Sequence, residues 1–463
     1  MLERTFVKDT VNKVGEEVLL KGWVHTRRDM GKIIFIDFRD SSGLIQVVFA
    51  SKDLELVAEA NKLRPEFVLA ITGEVKARPE KMINPKIATG TVEILAKKLE
   101  ILNEAKTLPF EIDKDTSVVN EELRMKYRYL DMRSERVRNN IILRSKITRE
   151  IRNFLNDKGF FEIETPYLTK GTPEGAREYI VPSRIQPGKF YVLPQSPQQF
   201  KQLLMVGGME KYFQVARCFR DEDSRGDRQP EFTQIDMEMS FASQEEIMKL
   251  TEEMMIEIVK KTTPEKIITK ISFPILTYQE AMEKYKTDKP DLREDKNNPN
   301  ELAFCWVVDF PLFEWSESDK KLNSIHHPFT MPRKEDMDLI DEHPLDVKAY
   351  CYDLVLNGYE MGSGSIRIHD KNLQSKIFRI LGIEKDEAEE RFGHMFESFS
   401  YGAPPHGGLA LGFDRLVMIL TGEPNIREII PFPKTADARD LMMGAPSELP
   451  KDVLKDVHIK IVE

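Results

Sequence analysis

The chain has 463 residues, with 68 Lys and Arg against 78 Asp and Glu, and that length exceeds what one hydrophobic core commonly serves, so two or three domains are expected. A net charge of −10 excludes a wholly basic nucleic-acid coat, and the wide spacing of Cys218, Cys305 and Cys351 suggests neither a disulfide framework nor a zinc motif. No apolar run reaches the roughly 18 residues of a membrane span and MLERTFVKDT lacks the apolar core of a secretory leader, so a cytoplasmic protein with no membrane segment is expected.

Residues 15–102 carry five short alternating runs, VLLKGWV, IIFIDFR, LIQVVFA, FVLAITGEV and TVEILAKKL, with one helix predicted near Leu54 to Leu63. Five strands with one helix predict a small closed barrel of the OB type, assigned to residues 1–104. Residues 1–106 hold 18 Lys and Arg against 16 Asp and Glu, the one stretch where a polyanion would be tolerated. Such barrels bind single strands by stacking bases on aromatics and tracking phosphates with cations, which makes Phe35, Gln46, Glu93, Arg27, Arg28 and Arg64 the candidates. The same pattern fits a core phenylalanine and an ordinary solvated face. Residues 105–140 are read as a hinge, because a Pro-containing extended piece leads into a heavily charged helix.

A second, larger domain is expected over 141–463. Helical spacing of Ile142, Ile147, Ile151, Phe154 and Leu155 ends at Gly159, and FFEIETPYLT follows as a strand. GTPEGAREY is a loop with an acid, Glu174, at its centre, and QSPQQFKQ starts a helix carrying Gln198 and Lys201 on one face. Arg217 to Phe241 reads as an antiparallel hairpin. Period two puts Phe232, Gln234, Asp236, Glu238 and Ser240 on one face and Thr233, Ile235, Met237, Met239 and Phe241 on the other, one for polar work and one for the core. Arg220 and Glu222 open its tip and Gln229 and Glu231 close it, so a guanidinium sits where it could grip a phosphate.

Farther along, Glu294 to Leu302 passes as a short polar loop into the strand CWVVDF. His326 and His327 are adjacent with no third ligand at metal-like spacing, so a substrate-facing imidazole is expected rather than a metal site. Asp353 and Glu360 flank the Asn357-Gly358 turn, where two carboxylates could hold Mg2+. Arg367, between Ile366 and Ile368, would bury its charge unless an anion meets it, and with Lys201 it could clamp a carboxylate. GAPPHGGLALGFDR then packs four glycines ahead of Arg415; glycine lets a backbone approach a planar ligand closely.

Phe-Arg-Asp-Glu followed by Arg-Gln-Pro-Glu-Phe-Thr-Gln (219–234) resembles motif 2 of the class II aminoacyl-tRNA synthetases in its aspartyl form. GLALGFDRLVMIL (408–420) resembles motif 3, and the helix, strand and Pro166 resemble motif 1, which in that family builds a homodimer interface. The resemblance runs from Gly22 to Ile459. It implies an α/β fold in which an OB barrel precedes an antiparallel sheet flanked by helices, and an aspartate–tRNA ligase that uses ATP, L-aspartate, tRNA(Asp) and Mg2+. By the same resemblance the catalytic residues are Arg220, Glu360 and Arg415. Aspartate is contacted by Glu174, Gln198, Lys201, Arg220, Asp236, His326 and Arg367. ATP is contacted by Arg220, Asp221, Glu222, Gln229, Glu360, Gly412, Phe413, Asp414 and Arg415, and the metal by Asp353 and Glu360. Arg28, Phe35, Gln46, Arg64 and Glu93 would read the anticodon, while Met30 and Lys81 stand where the family tunes discrimination between aspartate and asparagine tRNA, here towards strict discrimination. Bacterial members carry an inserted domain between motifs 2 and 3, and loop 294–302 leaves no room for one. A ligase charging both tRNAs and an asparaginyl enzyme are the alternative readings.

Overall fold

The computed structural model describes residues 2–31, 33–50, 53–171 and 175–462, and the chain divides into two compact units, Met1–Val119 and Asn120–Glu463. In the first, strands β1 (Glu17–Asp29), β2 (Ile34–Asp40), β3 (Gly43–Phe49), β4 (Val68–Ala77) and β5 (Val92–Asn103) close a barrel in the order β1-β2-β3-β5-β4. Helix α1 (Leu54–Lys62) lies between β3 and β4, its first turn capped by the Asp53 carboxylate, which accepts from the Leu56 amide at 2.9 Å.

Closure depends on β1 serving two neighbours, Glu17–Trp23 pairing with β4 and Trp23–Asp29 with β2. Gly22 stands at that changeover because a Cβ there would lie 2.2 Å from the Arg39 carbonyl oxygen. Alternation does the rest: Ile34, Ile36 and Phe38 are fully buried in the barrel core, and Phe35 and Asp37 face outward.

In the second unit, α2 (Glu121–Lys126), α3 (Arg128–Asp131) and α4 (Glu135–Asp157) lead into β6 (Phe161–Glu162), then α5 (Gln198–Val206), β7 (Lys211–Phe219), β8 (Glu231–Ser240) and α6 (Gln244–Thr262). The remaining sheet strands are β9 (Ile275–Thr277), β10 (Phe304–Val308), β11 (Cys351–Leu356), β12 (Tyr359–Ile366) and β13 (His406–Gly412), followed by α7 (Phe413–Thr421). Among the described residues these strands form one sheet in the order β9-β10-β11-β12-β13-β8-β7-β6. Its interior pairs are antiparallel, as expected, but each edge strand is parallel to its neighbour, so the sheet is mixed.

One face of the sheet, through Ile235, Met237, Tyr352, Leu354, Leu409 and Leu411, packs on α4, α6 and α7. Near β10 and β11 the other face carries a second apolar cluster containing Cys305, Val307, Cys351 and Val355. The middle of that face is left to Gln234, Asp236, Glu238 and Asp353, which is where the polar half of the predicted hairpin lies.

The expected hinge, 105–140, is divided by the unit boundary, and its second half is tightly held. Arg124 forks onto Glu428 at 2.8 and 2.9 Å, Arg136 reaches Glu428 at 2.9 Å and Glu423 at 2.7 Å, and Arg128 donates to the carbonyls of Arg427, Ile430 and Pro431. Charged composition in 121–138 thus marks a buried ion network, not a solvated linker. Burial alone would push the Glu428 carboxyl up, but Arg124, Arg136 and Arg128 outweigh it and hold it at about 2.

A carboxyl depressed by folding contributes stability that is fully present above its unfolded value of about 4.3 and is lost as the pH falls towards the folded one. Glu428→Gln should therefore cost about 3–5 kcal/mol at neutral pH by stranding buried guanidinium groups. Its deficit relative to the parent should shrink as the pH drops through the interval from about 4.3 to 2. Denaturant titration at neutral and acid pH measures both, and a deficit independent of pH contradicts the assignment.

Candidate active site

Helix α5 begins after Pro197 and sets Gln198 and Lys201 one turn apart on its buried face. Lys201 crosses to β8, where its Nζ lies 2.6 Å from Asp236 Oδ1 and 3.3 Å from Glu238 Oε2. Arg367, at the end of β12, donates from Nε and Nη2 to the same Glu238 carboxylate at 2.9 and 3.1 Å, and from Nη1 to Ser365 Oγ and His327 Nε2, each at 2.6 Å. Both cations therefore reach Glu238 Oε2, and all four charged groups are at most 2% exposed.

Two expectations change here. The anion that meets Arg367 is an internal one, Glu238, which the alternation had placed on the polar face without a role. The histidine beside Arg367 is His327, whereas His326 turns its Nε2 to Asp353 at 3.2 Å. Burial and then Arg367 keep the His327 imidazole neutral, well below its ordinary pKa.

Counting donors decides what the cluster can still do. A guanidinium has five N–H groups and an ammonium three. Four of the first and two of the second are engaged, leaving one donor on each cation among the described residues. Beside them, Asp236 Oδ2 and Gln198 Nε2 are buried without a hydrogen-bond partner among the described residues. Two free donors plus an acceptor in the same cluster suit a small molecule carrying both a carboxylate and an ammonium group. Glu174 lies outside the described residues.

A cavity of about 220 Å3 opens alongside, lined by Arg220, Glu222, Gln229, Phe232, Glu360, Gly412, Asp414 and Arg415 among others. The Arg220 guanidinium lies 5.0 Å over the Phe232 ring, and its Nε has no hydrogen-bond partner among the described residues. Arg415 donates to the Glu360 carbonyl at 2.8 Å and pairs with Asp227 at 3.1 Å. Phe232, read only as part of the polar face, is thus an aromatic surface inside the cavity.

Several predicted cavity residues do other work. Phe413 is 1% exposed within the helix-side core, under the Arg144 guanidinium, because α7 turns it inward. Asp414 lines the cavity, but its carboxylate accepts from the Thr233 amide at 2.8 Å and from Arg144, so it ties α7 to β8. Gln229 exchanges two hydrogen bonds with the Lys434 backbone at 2.7 and 3.1 Å, and Asp221 is exposed and not among the lining residues.

The glycines ahead of Arg415 also differ in role. A Cβ on Gly408 would lie 2.0 Å from the Met237 carbonyl and 2.2 Å from Glu238 Oε2, so this glycine makes room for the ion cluster rather than for a ligand.

For a metal, Asp353 and Glu360 bring hard oxygen donors, and Glu360 lines the cavity. Burial and then the charge of Glu360 raise the Asp353 carboxyl despite His326, while Lys289, 2.8 Å from Glu360, lowers Glu360 against its burial. Two carboxylates close enough to repel, only one of them paired with a lysine, fit a divalent cation.

On the barrel, Phe35 is half-buried on the outer face, paired with Arg28 across β1 and β2. Arg28 donates to Asp37 at 2.9 Å and to Gln46 at 3.1 Å, and Gln46 donates to Glu93 at 2.9 Å. Arg78, missed in the sequence, joins this network at Glu93, 3.6 Å away. Arg64 stands apart, donating to carbonyls at the end of α1. Met30 and Lys81 are exposed.

A barrel with a half-buried outward aromatic set in a polar network, and a mixed sheet carrying an arginine-lined cavity, together define the architecture of a class II aminoacyl-tRNA synthetase. Residues 120–436 match the model for tRNA synthetases class II (D, K and N), and residues 18–102 match the OB-fold nucleic acid binding domain. The chain is 43% identical to the aspartate–tRNA(Asp/Asn) ligase of Rubrobacter xylanophilus over 97% of its own length and 95% of that protein's. It is 42% identical to the aspartate–tRNA ligase of Geobacillus kaustophilus over 100% and 99%. In the solved asparaginyl-tRNA synthetase of Pyrococcus horikoshii the same fold recurs, with a TM-score of 0.76 at 23% identity over 94% of this chain and 99% of that one. The chain belongs to the class II tRNA synthetases of the D, K and N group and is an ATP-dependent aminoacyl-tRNA synthetase. The Rubrobacter alignment spans 573 positions against 463 residues here, so that relative carries residues without a counterpart in this chain.

Gly408→Ala should cost about 1–3 kcal/mol, because the neighbouring atom is a backbone oxygen that cannot swing aside. Gly226→Ala, whose Cβ would meet nothing nearer than 3.9 Å, should stay within about 0.5 kcal/mol of the parent. Thermal unfolding of the two variants side by side checks this, and equal melting temperatures contradict it.

Proposed function

We propose that the protein is an aspartate–tRNA ligase that activates L-aspartate with ATP and transfers it to the 3′ end of tRNA(Asp). The observation that carries the reading is the pair of unused donors on Lys201 and Arg367, held next to the unpartnered Asp236 oxygen. In this reading the substrate's side-chain carboxylate takes the two donors, and its ammonium group lies between Asp236 and Gln198, with Glu174 as a third contact. Because Glu238 already balances the cations, the site can stay assembled before substrate arrives, and selectivity comes from two donors that an amide nitrogen could not satisfy.

The nucleotide would occupy the cavity, its base against Phe232 and its phosphates met by Arg220 and Arg415. An oxygen of the aspartate α-carboxylate attacks the α-phosphorus, the bond to pyrophosphate breaks, and aspartyl-adenylate results. The terminal ribose hydroxyl of the tRNA then attacks the acyl carbon, losing its proton, and AMP leaves. No protein nucleophile is required; the chain's residues orient the two reactants and stabilise charge on the phosphoryl oxygens. Asp353 and Glu360 would hold Mg2+, which neutralises phosphate charge when bound.

Phe35, Arg28, Gln46 and Glu93 would meet anticodon bases on the outer face of the barrel, by stacking and by hydrogen bonds to base edges. Exposed Phe161, Tyr167, Leu168 and Phe190 support a homodimer, and three buried free thiols suit a reducing compartment such as the cytoplasm. For tRNA choice, Met30 and Lys81 favour charging of aspartate tRNA alone. The second reading, in which asparagine tRNA is charged as well, is supported by relatives of equal similarity that are named for both. Acylation of the two purified tRNAs decides between them.

Lys201→Met and Arg367→Leu should each lower kcat/KM for aspartate by about 2–5 kcal/mol in ATP–pyrophosphate exchange, with the KM for ATP near the parent's and the fold intact by circular dichroism. Parallel losses for aspartate and ATP would contradict the assignment.

A further inference from the structure

We propose that His326, Cys351 and Asp353 form a site for a borderline-soft divalent cation of the zinc type, separate in its chemistry from the Asp353–Glu360 pair. Sequence spacing contains no such motif; the fold assembles it. One ligand atom from each of the three residues lies within 4.8 Å of the others. Cys351 and Asp353 are two positions apart on the interior strand β11 and so share a face, and both are buried. His326 comes from the loop after the hairpin of residues 313–324, with its imidazole held edge-on by Phe310 at 4.7 Å and its Nε2 at 3.2 and 3.5 Å from the two Asp353 oxygens. The Cys351 thiol donates to the Gly364 carbonyl at 3.2 Å, which aims its sulfur within the strand pair.

Tetrahedral zinc takes sulfur at about 2.3 Å and nitrogen or carboxylate oxygen at about 2.0–2.2 Å, which puts its donors roughly 3.5 Å apart. Contracting this cluster to that spacing needs side-chain shifts of about an ångström, without a change of strand register. The donor set, one thiolate, one imidazole and one carboxylate, favours zinc or cobalt over magnesium, which prefers oxygen alone. His326 keeps 16% of its side chain exposed, so the metal would enter along it, and the fourth position would go to water as in open zinc sites. On binding, the thiol proton passes to solvent. Asp353 belongs to both sets, so zinc here withdraws one of the two carboxylates available to Mg2+ and lowers the rate of adenylate formation. That consequence rests on the proposed function; the binding itself does not.

Cobalt titrated into the intact protein should give one equivalent of a thiolate-to-cobalt charge-transfer band, and X-ray absorption of the zinc-loaded parent should find one sulfur scatterer at about 2.3 Å. Cys351→Ser should lose the band and weaken zinc inhibition of magnesium-dependent pyrophosphate exchange at least tenfold, while Cys218→Ser and Cys305→Ser keep both. Only nitrogen and oxygen scatterers in the parent, or a band that survives Cys351→Ser, overturns the site. A sulfur-ligated zinc that leaves exchange untouched overturns the competition for Asp353. Exchange absent under all conditions counts against the ligase reading and leaves the spectroscopic test standing.

Discussion

One buried carboxylate, that of Glu238, holds the catalytic unit's central arrangement together. It sits on the interior strand β8, fully buried, with a lysine from a helix on one side and an arginine from the next strand but one on the other. Burial alone would protonate it; Arg367 and Lys201 hold its pKa at about 2, so the charge persists across the physiological range. Were Glu238 neutral, two cations would lie desolvated with Asp236 as the one remaining anion paired to them among the described residues, which is the condition under which buried charge becomes strongly destabilising. The cluster can therefore be assembled without a ligand and still keep one unspent donor on each cation.

That cluster depends on features distributed along the whole unit. Alternation in β8 delivers Asp236 and Glu238 to one face while Ile235 and Met237 fill the core on the other. Gly408 keeps the adjacent strand bare where Glu238 needs space. Asn357 and Gly358, with φ of 53° and 84°, make the tight turn that returns the chain from Asp353 to Glu360, both central residues in the left-handed region that a two-residue hairpin requires. Behind the sheet, the arginine network on Glu428 fastens α2 and α3 to the segment 423–431, just after the helix that begins at Phe413.

Most of this architecture was legible in the sequence because it follows from period and punctuation. Five alternating runs became five barrel strands, and the hairpin with one polar and one apolar face is present with those faces as far as Met239, whereas Phe241, expected on the core face, is exposed just past the end of β8. What the sequence concealed is partnership. Arg367 between two isoleucines announced a buried charge but not whether its anion would be a ligand or Glu238. Adjacent histidines gave no sign of which would meet Arg367 and which Asp353, because a loop following β-structure decides it. Phe413 stands in the middle of a recognisable motif, yet the first turn of α7 carries it into the core. Charge density misled at 121–138, where a run rich in arginine and glutamate is a buried network whose partners lie some three hundred residues away.

If a dicarboxylic amino acid completes the two cations, calorimetric titration of the unaltered protein will show it. L-Aspartate should bind, and L-asparagine, which differs only by an amide where the second carboxylate would stand, should bind weaker by about four orders of magnitude or escape detection. Equal affinity for the two amino acids would mean that the spare donors of Lys201 and Arg367 do not select the ligand.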